Sequence, residues 1–196
     1  VRTSLNNNIE IIGFRNGYEG LIDNDYVVFD RRLVGNIIQK VGSILHTSRS
    51  LRFVNKKYRL IAEKNLRALD VDGLVIIGGE GSTKGATALS KISKTKCVVI
   101  PATIDKDMPL VGPTIGFDTA INTALSAIDK IRDTATTSNV THIVEVMGRN
   151  CGWLGILAGI GAGAEVTIIP EVKIDIAKLS KKIKNQLDRG KKGCII

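Results

Sequence analysis

The sequence predicts an α/β protein built on mainly parallel sheets flanked by helices. Two observations carry that prediction. Four short apolar runs rich in β-branched residues each stop at glycine or proline, and helical patterns fill the intervals between them. The composition agrees: of 196 residues, 43% are hydrophobic and 24% charged, with a mean hydropathy of +0.11. Such a chain can bury a core and is not a disordered tail.

Ile9 to Phe14 predicts a first strand, followed by a turn at Asn16-Gly17. Helices are expected from Val34 to Leu45 and from Tyr58 to Leu69, where Tyr58, Ile61, Ala62, Leu66 and Leu69 share one face. Leu74 to Ile77 predicts a fully buried parallel strand, ended by a glycine pair. Three similar runs follow: Cys97 to Ile100 stopped by Pro101, His142 to Val146 stopped at Gly148, and Val166 to Ile169 stopped by Pro170. The intervening helices are expected at Ser82 to Ile92, Asp118 to Arg132, Gly152 to Gly161 and Ile174 to Leu187. Asp118 at the start of its helix and Lys130 with Arg132 at its end complement the helix dipole. The small residues of Gly152 to Gly163 suggest a helix that packs closely on a neighbour.

The charge balance of 28 basic against 19 acidic residues gives +9, which favours anionic partners. Aromatics at 4% offer few stacking platforms, so nucleic acid is not expected, whereas phosphorylated small molecules fit well. Cys97, Cys151 and Cys194 lie far apart without a C-x-x-C pair, which predicts a reducing, cytoplasmic setting. The uncharged stretch Asn150 to Ala164 is shorter than the roughly 20 apolar residues a membrane helix needs, so no membrane association is expected. Val1 at the start and Cys194-Ile195-Ile196 at the end, reading as an opening strand, predict part of a longer chain.

In an open parallel sheet, ligands gather beyond the carboxyl ends of the strands. Gly78-Gly79-Glu80-Gly81-Ser82 joins a strand to a helix there, an arrangement suited to a phosphate. Glu80 among those glycines would repel a phosphate unless a cation intervened, which hints at magnesium. A plain tight turn explains the glycines equally well, and no Gly-Lys-Ser/Thr follows to make a Walker loop. The next strand end, Pro101 to Asp107, carries Asp105 and Asp107, suited to a general base and a metal- or water-orienting group, or to an ordinary solvated turn. The third, Met147-Gly148-Arg149, offers a guanidinium that can clasp a phosphate. Converging at one edge, these parts describe a phosphoryl-transfer site.

Gly78 to Ser82 with Gly85-Ala86, Thr103-Ile104-Asp105 with Asp107, Thr114 to Ala120, and Val144 to Arg149 with Cys151-Gly152 strongly resemble the 6-phosphofructokinase family, from about Gly13 to the last residue. The resemblance implies two Rossmann-like lobes, with residues 1–116 part of the nucleotide lobe and 117–196 part of the sugar-phosphate lobe. It implies Asp105 as the base on the sugar 1-hydroxyl, with Thr103 and Arg149 also catalytic. Arg49, Gly79, Glu80, Gly81 and Ser82 match nucleotide-side positions, and Glu80 stands where a magnesium-binding Asp is usual. Asp107, Met147, Gly148 and Arg149 match sugar-side positions. Gly81 and Ala102 resemble the ATP-dependent rather than the pyrophosphate-dependent type. Arg31, Arg132, Gly163, Glu165, Arg189 and Lys191 match positions that hold effectors between subunits, and a homotetramer is implied. The activity implied is phosphoryl transfer from ATP to fructose 6-phosphate with Mg2+, in the cytoplasm.

Four positions depart from the family pattern: Glu80 for Asp, Lys106 for Asn between the two acids, and Val140 and Val54 for arginines. Lys106 and Val140 motivate a rival reading, a non-catalytic effector-binding subunit, against which Thr103, Asp105 and Arg149 speak. NAD and diacylglycerol kinases share only the first block. His46 and His142 fall on no matched site position, and a polypeptide of these residues alone is expected to be inactive.

Overall fold

A computed structural model describes residues 1–40, 42–138, 140–190 and 194–195. The chain divides into two compact units, Val1–Ile76 with Gly81–Val99, and Ile77–Glu80 with Ile100–Ile196.

In the first unit a short helix α1 (Arg2–Asn6) precedes β1 (Ile12–Phe14), α2 (Tyr18–Asp23) and β2 (Tyr26–Val28). β1 and β2 pair antiparallel, with Gly13 opposite Val27. A 3-10 turn, Arg52–Val54, leads into α3 (Lys56–Ala68), whose first turn is capped by Asn55 accepting from the Lys57 N–H. α3 buries Ala62 and Leu66, four residues apart, against Leu21, Ile22, Phe53 and Leu89. Asn65 ties α3 to α2 by donating to the carbonyls of Leu21 and Ile22 at 2.9 and 3.0 Å.

β3 (Gly73–Gly78), α4 (Glu80–Ser90) and β4 (Lys96–Pro101) follow. Lys96 N–H donates to Asp72 at one end of the β3–β4 pair and Ala102 N–H to Gly78 at the other. The same spacing of 24 residues at both ends, between Asp72 and Lys96 and between Gly78 and Ala102, is what parallel strands give.

The second unit contains α5 (Phe117–Ser138), β5 (His142–Ile143), α6 (Trp153–Gly161), α7 (Ile176–Asp188) and β6 (Cys194–Ile195), with β5 and β6 parallel. Its core joins Ile128 of α5 to Ala158 of α6 and the adjacent Ala162, with Leu125, Val144 and Val146 packed around them. Gly155 and Gly159 are buried in α6, the close packing its small residues suggested.

Several expectations need correction. Among the described residues from Val34 to Leu45 there is no helix; they form mainly turns and bends, because Asn36 and Gly42 take left-handed backbone angles that end a helix. Val166 makes only an isolated bridge, and His142 to Val146 yields a strand of two residues. The first strand is confined to Ile12–Phe14 and is antiparallel. β3 and β4 are not fully buried: Val75, Ile77 and Val98 are at least 60% exposed on a two-stranded sheet whose other face packs on the core.

Candidate functional site

The strand ends of β3 and β4 set the site. The Ala102 N–H donates to the Gly78 carbonyl at 3.0 Å, so the two chains leave the sheet side by side. Gly79 follows directly and lies against Thr103: a Cβ at position 79 would stand 3.2 Å from the Thr103 Cβ, inside ordinary contact. Glu80 then opens α4, with Gly81 and Ser82 in its first turn. A Cβ added to Gly81 would meet nothing within 4 Å.

Thr103 organises the loop beyond β4. Its Oγ1 accepts from the Asp105 N–H at 3.1 Å, and its carbonyl accepts from the Thr114 hydroxyl at 2.6 Å. Thr114 is the buried polar residue of the described core, and it was not singled out for a role by the sequence. The adjacent Ile115 bridges Ala102 in parallel and donates to the Pro101 carbonyl, so the Thr114 block lines the edge of β4 before α5 begins. The signal available in the sequence was the β-branched pair Thr114-Ile115, too short to read as a strand.

Lys106 lies between Asp105 and Asp107 with φ +53. Its ammonium sits 5.4 Å from the centre of the Phe117 ring and 4.7 Å from that of Trp153. Its carbonyl accepts a weak contact from the Cys151 Sγ at 3.9 Å. These contacts bring the Asp105 loop to the segment that follows Met147-Gly148-Arg149. Gly148 makes that turn with φ +142, and Gly152 donates its N–H to the Glu171 carboxylate at 2.8 Å. Arg149, Met147 and Asp107 are exposed, whereas Asp105 is half-buried.

Arg49, expected on the nucleotide side, lies exposed in the loop before the 3-10 turn of the first unit. In that unit Tyr18 stacks on Phe53 with centroids 4.0 Å apart and donates its hydroxyl to the Ser82 carbonyl at 2.6 Å. Burial, with a smaller contribution from Cys97, lifts the Tyr18 phenol above its ordinary range, and burial also pushes the Cys97 thiol up. Arg52 pairs with both Glu19 and Asp23 on α2, and its hydrogen bonds hold both carboxyls below their usual range. Val54 and Val140, which stand at arginine positions of the family pattern, are exposed.

Of the six residues expected to hold an effector, Arg132, Gly163 and Glu165 come together. Arg132 donates to the Ala162 and Gly163 carbonyls at the end of α6 and lies 3.7 Å from the Glu165 carboxylate. Arg189 follows α7 as an exposed residue, Arg31 lies exposed in a turn of the first unit, and Lys191 falls outside the described residues.

The phosphofructokinase family model matches residues 1–196, the whole chain. The ATP-dependent 6-phosphofructokinase of Staphylococcus carnosus (strain TM300) is 46% identical over 197 residues, covering all of this chain and 61% of the relative; that of Staphylococcus aureus (strain Newman) is 44% identical with the same coverage. The chain thus spans about 61% of the length of these curated relatives. Among solved structures, phosphofructokinase from Saccharomyces cerevisiae superposes with a TM-score of 0.84 at 28% identity, covering 100% of this chain and 30% of the other. A pyrophosphate-dependent phosphofructokinase from Marinobacter aquaeolei has a TM-score of 0.80 at 22% identity, covering 99% and 53%, a likeness of fold alone.

Proposed function

This chain belongs to the phosphofructokinase family, and from that premise we propose that the complete protein transfers the γ-phosphoryl group of ATP to the 1-hydroxyl of fructose 6-phosphate, giving fructose 1,6-bisphosphate and ADP. The observation that carries the reading is the meeting of Gly79, Thr103 and Asp105 at the paired ends of β3 and β4. Asp105 takes the proton from the sugar hydroxyl as its oxygen attacks the γ-phosphorus, and the bond to the β-phosphate oxygen breaks. Thr103 holds Asp105 through the backbone bond to its N–H and contacts the transferred group. Arg149, Met147, Gly148 and Asp107 bind the sugar phosphate, in which positioning and charge stabilisation do most of the catalytic work.

Residues 1–116 serve the nucleotide, with Arg49, Gly79, Glu80, Gly81 and Ser82 at its phosphates and base, and residues 117–196 serve the sugar phosphate. A magnesium ion fits the donor chemistry. Among the described residues no group of three acidic, His or Cys side chains gathers to cage a metal. Mg2+ needs only one or two carboxylates, taking its other ligands from water and substrate phosphates, and Glu80 opens α4 exposed. When bound, the ion neutralises phosphate charge. ATP rather than pyrophosphate is the donor because Gly81 and Ala102 are small residues that leave room for the α-phosphate and nucleoside. The assembly is a cytoplasmic homotetramer, with Arg31, Arg132, Gly163, Glu165, Arg189 and Lys191 forming effector contacts.

The test is an assay of the complete protein with fructose 6-phosphate, with ATP and pyrophosphate in separate reactions. ATP should be preferred, and Asp105→Asn should lower kcat by about 10^2 to 10^4, the usual share of a general base. Equal turnover by the Asp105→Ala protein would sink the catalytic assignment, and preference for pyrophosphate would sink the donor assignment.

A further inference from the structure

We infer that Lys106 is a positioning residue: by resting its ammonium between the rings of Phe117 and Trp153, it holds the loop of Asp105 and Asp107 against the segment that carries Arg149. The inference rests on the phosphoryl-transfer reading above and deepens it.

Three pieces of chain far apart in sequence meet at this one side chain. Phe117 opens α5 and is buried, Trp153 opens α6, and Lys106 lies in the loop after β4. Both ring centres are within the roughly 6 Å at which the negative face of an aromatic ring attracts a cation. A lysine between two carboxylates at the surface would ordinarily extend into water; this one is half-buried and directed at the rings.

The backbone supplies an independent argument. Lys106 takes φ +53, a left-handed conformation that asparagine and glycine adopt readily and lysine does not. Such a conformation persists where the surroundings over-determine it. Here those surroundings are the two rings and the Cys151 contact to the Lys106 carbonyl. Asp105 and Asp107 flank the residue, so their approach to the sugar follows its backbone. An ammonium occupied on two ring faces places its neighbours; it does not itself react.

The experiment compares Lys106→Met, which keeps an unbranched side chain one atom shorter and loses the charge, with Lys106→Arg, whose guanidinium also stacks on aromatic faces. In the complete protein, Lys106→Met should raise KM for fructose 6-phosphate by about tenfold and lower kcat by about ten- to a hundredfold, as displaced reacting groups do. KM for ATP should stay within about twofold, and Lys106→Arg should recover most of both losses. A reduced yield of folded enzyme lowers kcat and leaves both KM values alone. That pattern, or an arginine variant as impaired as the methionine one, overturns the inference.

A second readout does not need turnover. Trp153 is the one tryptophan of this sequence. Its emission, isolated as the difference between the protein and its Trp153→Phe version, should change in maximum or yield in Lys106→Met. An unchanged emission means the ammonium does not rest on the ring. If the unsubstituted protein fails to phosphorylate fructose 6-phosphate, the proposed activity falls, while emission still decides whether the clamp exists.

Discussion

A Cβ at position 148 would stand 2.6 Å from the Cys151 carbonyl oxygen, and the backbone there has φ +142, which side chains avoid. Gly148→Ala should therefore destabilise the protein by about 1–3 kcal/mol, read from the midpoint of urea unfolding, because either the turn or the Cys151 carbonyl must move. The sequence marked Gly148 as the stop of a strand beside Arg149, but β5 ends at Ile143 and the glycine lies in the irregular segment beyond it. Gly79, Thr103 and Asp105 were legible, since an apolar run ended by glycine or proline puts the next residues at a strand mouth. The partners of Lys106 were not legible. Its charge could be seen, but the meeting with Phe117 and Trp153 depends on segments 11 and 47 residues away, set by packing and not by spacing. Arg132 teaches the same lesson, because its guanidinium is engaged by the Ala162 and Gly163 carbonyls as well as by Glu165.

Among the elements, α4 is held from its first turn. The Tyr18 hydroxyl reaches the Ser82 carbonyl, and its ring lies so close to Gly85 that a Cβ there would collide with it. Burial raises the folded-state pKa of Tyr18 above its unfolded value of 10.0. A phenol that keeps its proton more tightly when folded lends stability that is complete below that value and is lost as pH rises beyond it. Stability of the first unit should fall above about pH 10, and Tyr18→Phe should flatten that fall, as followed by circular dichroism across an alkaline series. An equally steep fall in Tyr18→Phe would assign it to other groups. Long periodic helices were the most legible elements: α3 lies where its apolar face predicted, and α5 starts at its predicted acidic end but runs on to Ser138, so that Lys130 and Arg132 fall inside it and not at its end. The stretch from Val34 to Leu45 has enough apolar residues for a helix, yet left-handed Asn36 and Gly42 punctuate it, a backbone cost that hydrophobic spacing does not register.

At the scale of the molecule, the α/β class was readable from alternation alone, while the pairing of the described strands into three two-stranded sheets was not, because pairing is a long-range choice. No described helix is long and apolar enough to cross a membrane. The basic excess of +9 suits anionic small molecules. The sheet of β3 and β4 keeps one bare side, where Val75, Ile77, Val98 and Ile100 are exposed. Bare apolar strands with unsatisfied edges recruit further strands. Made alone, these 196 residues should show light scattering and an apparent Tm that both depend on protein concentration; a clear, concentration-independent melt would contradict this. A cell translating only this stretch would then have produced a chaperone client rather than a dormant enzyme.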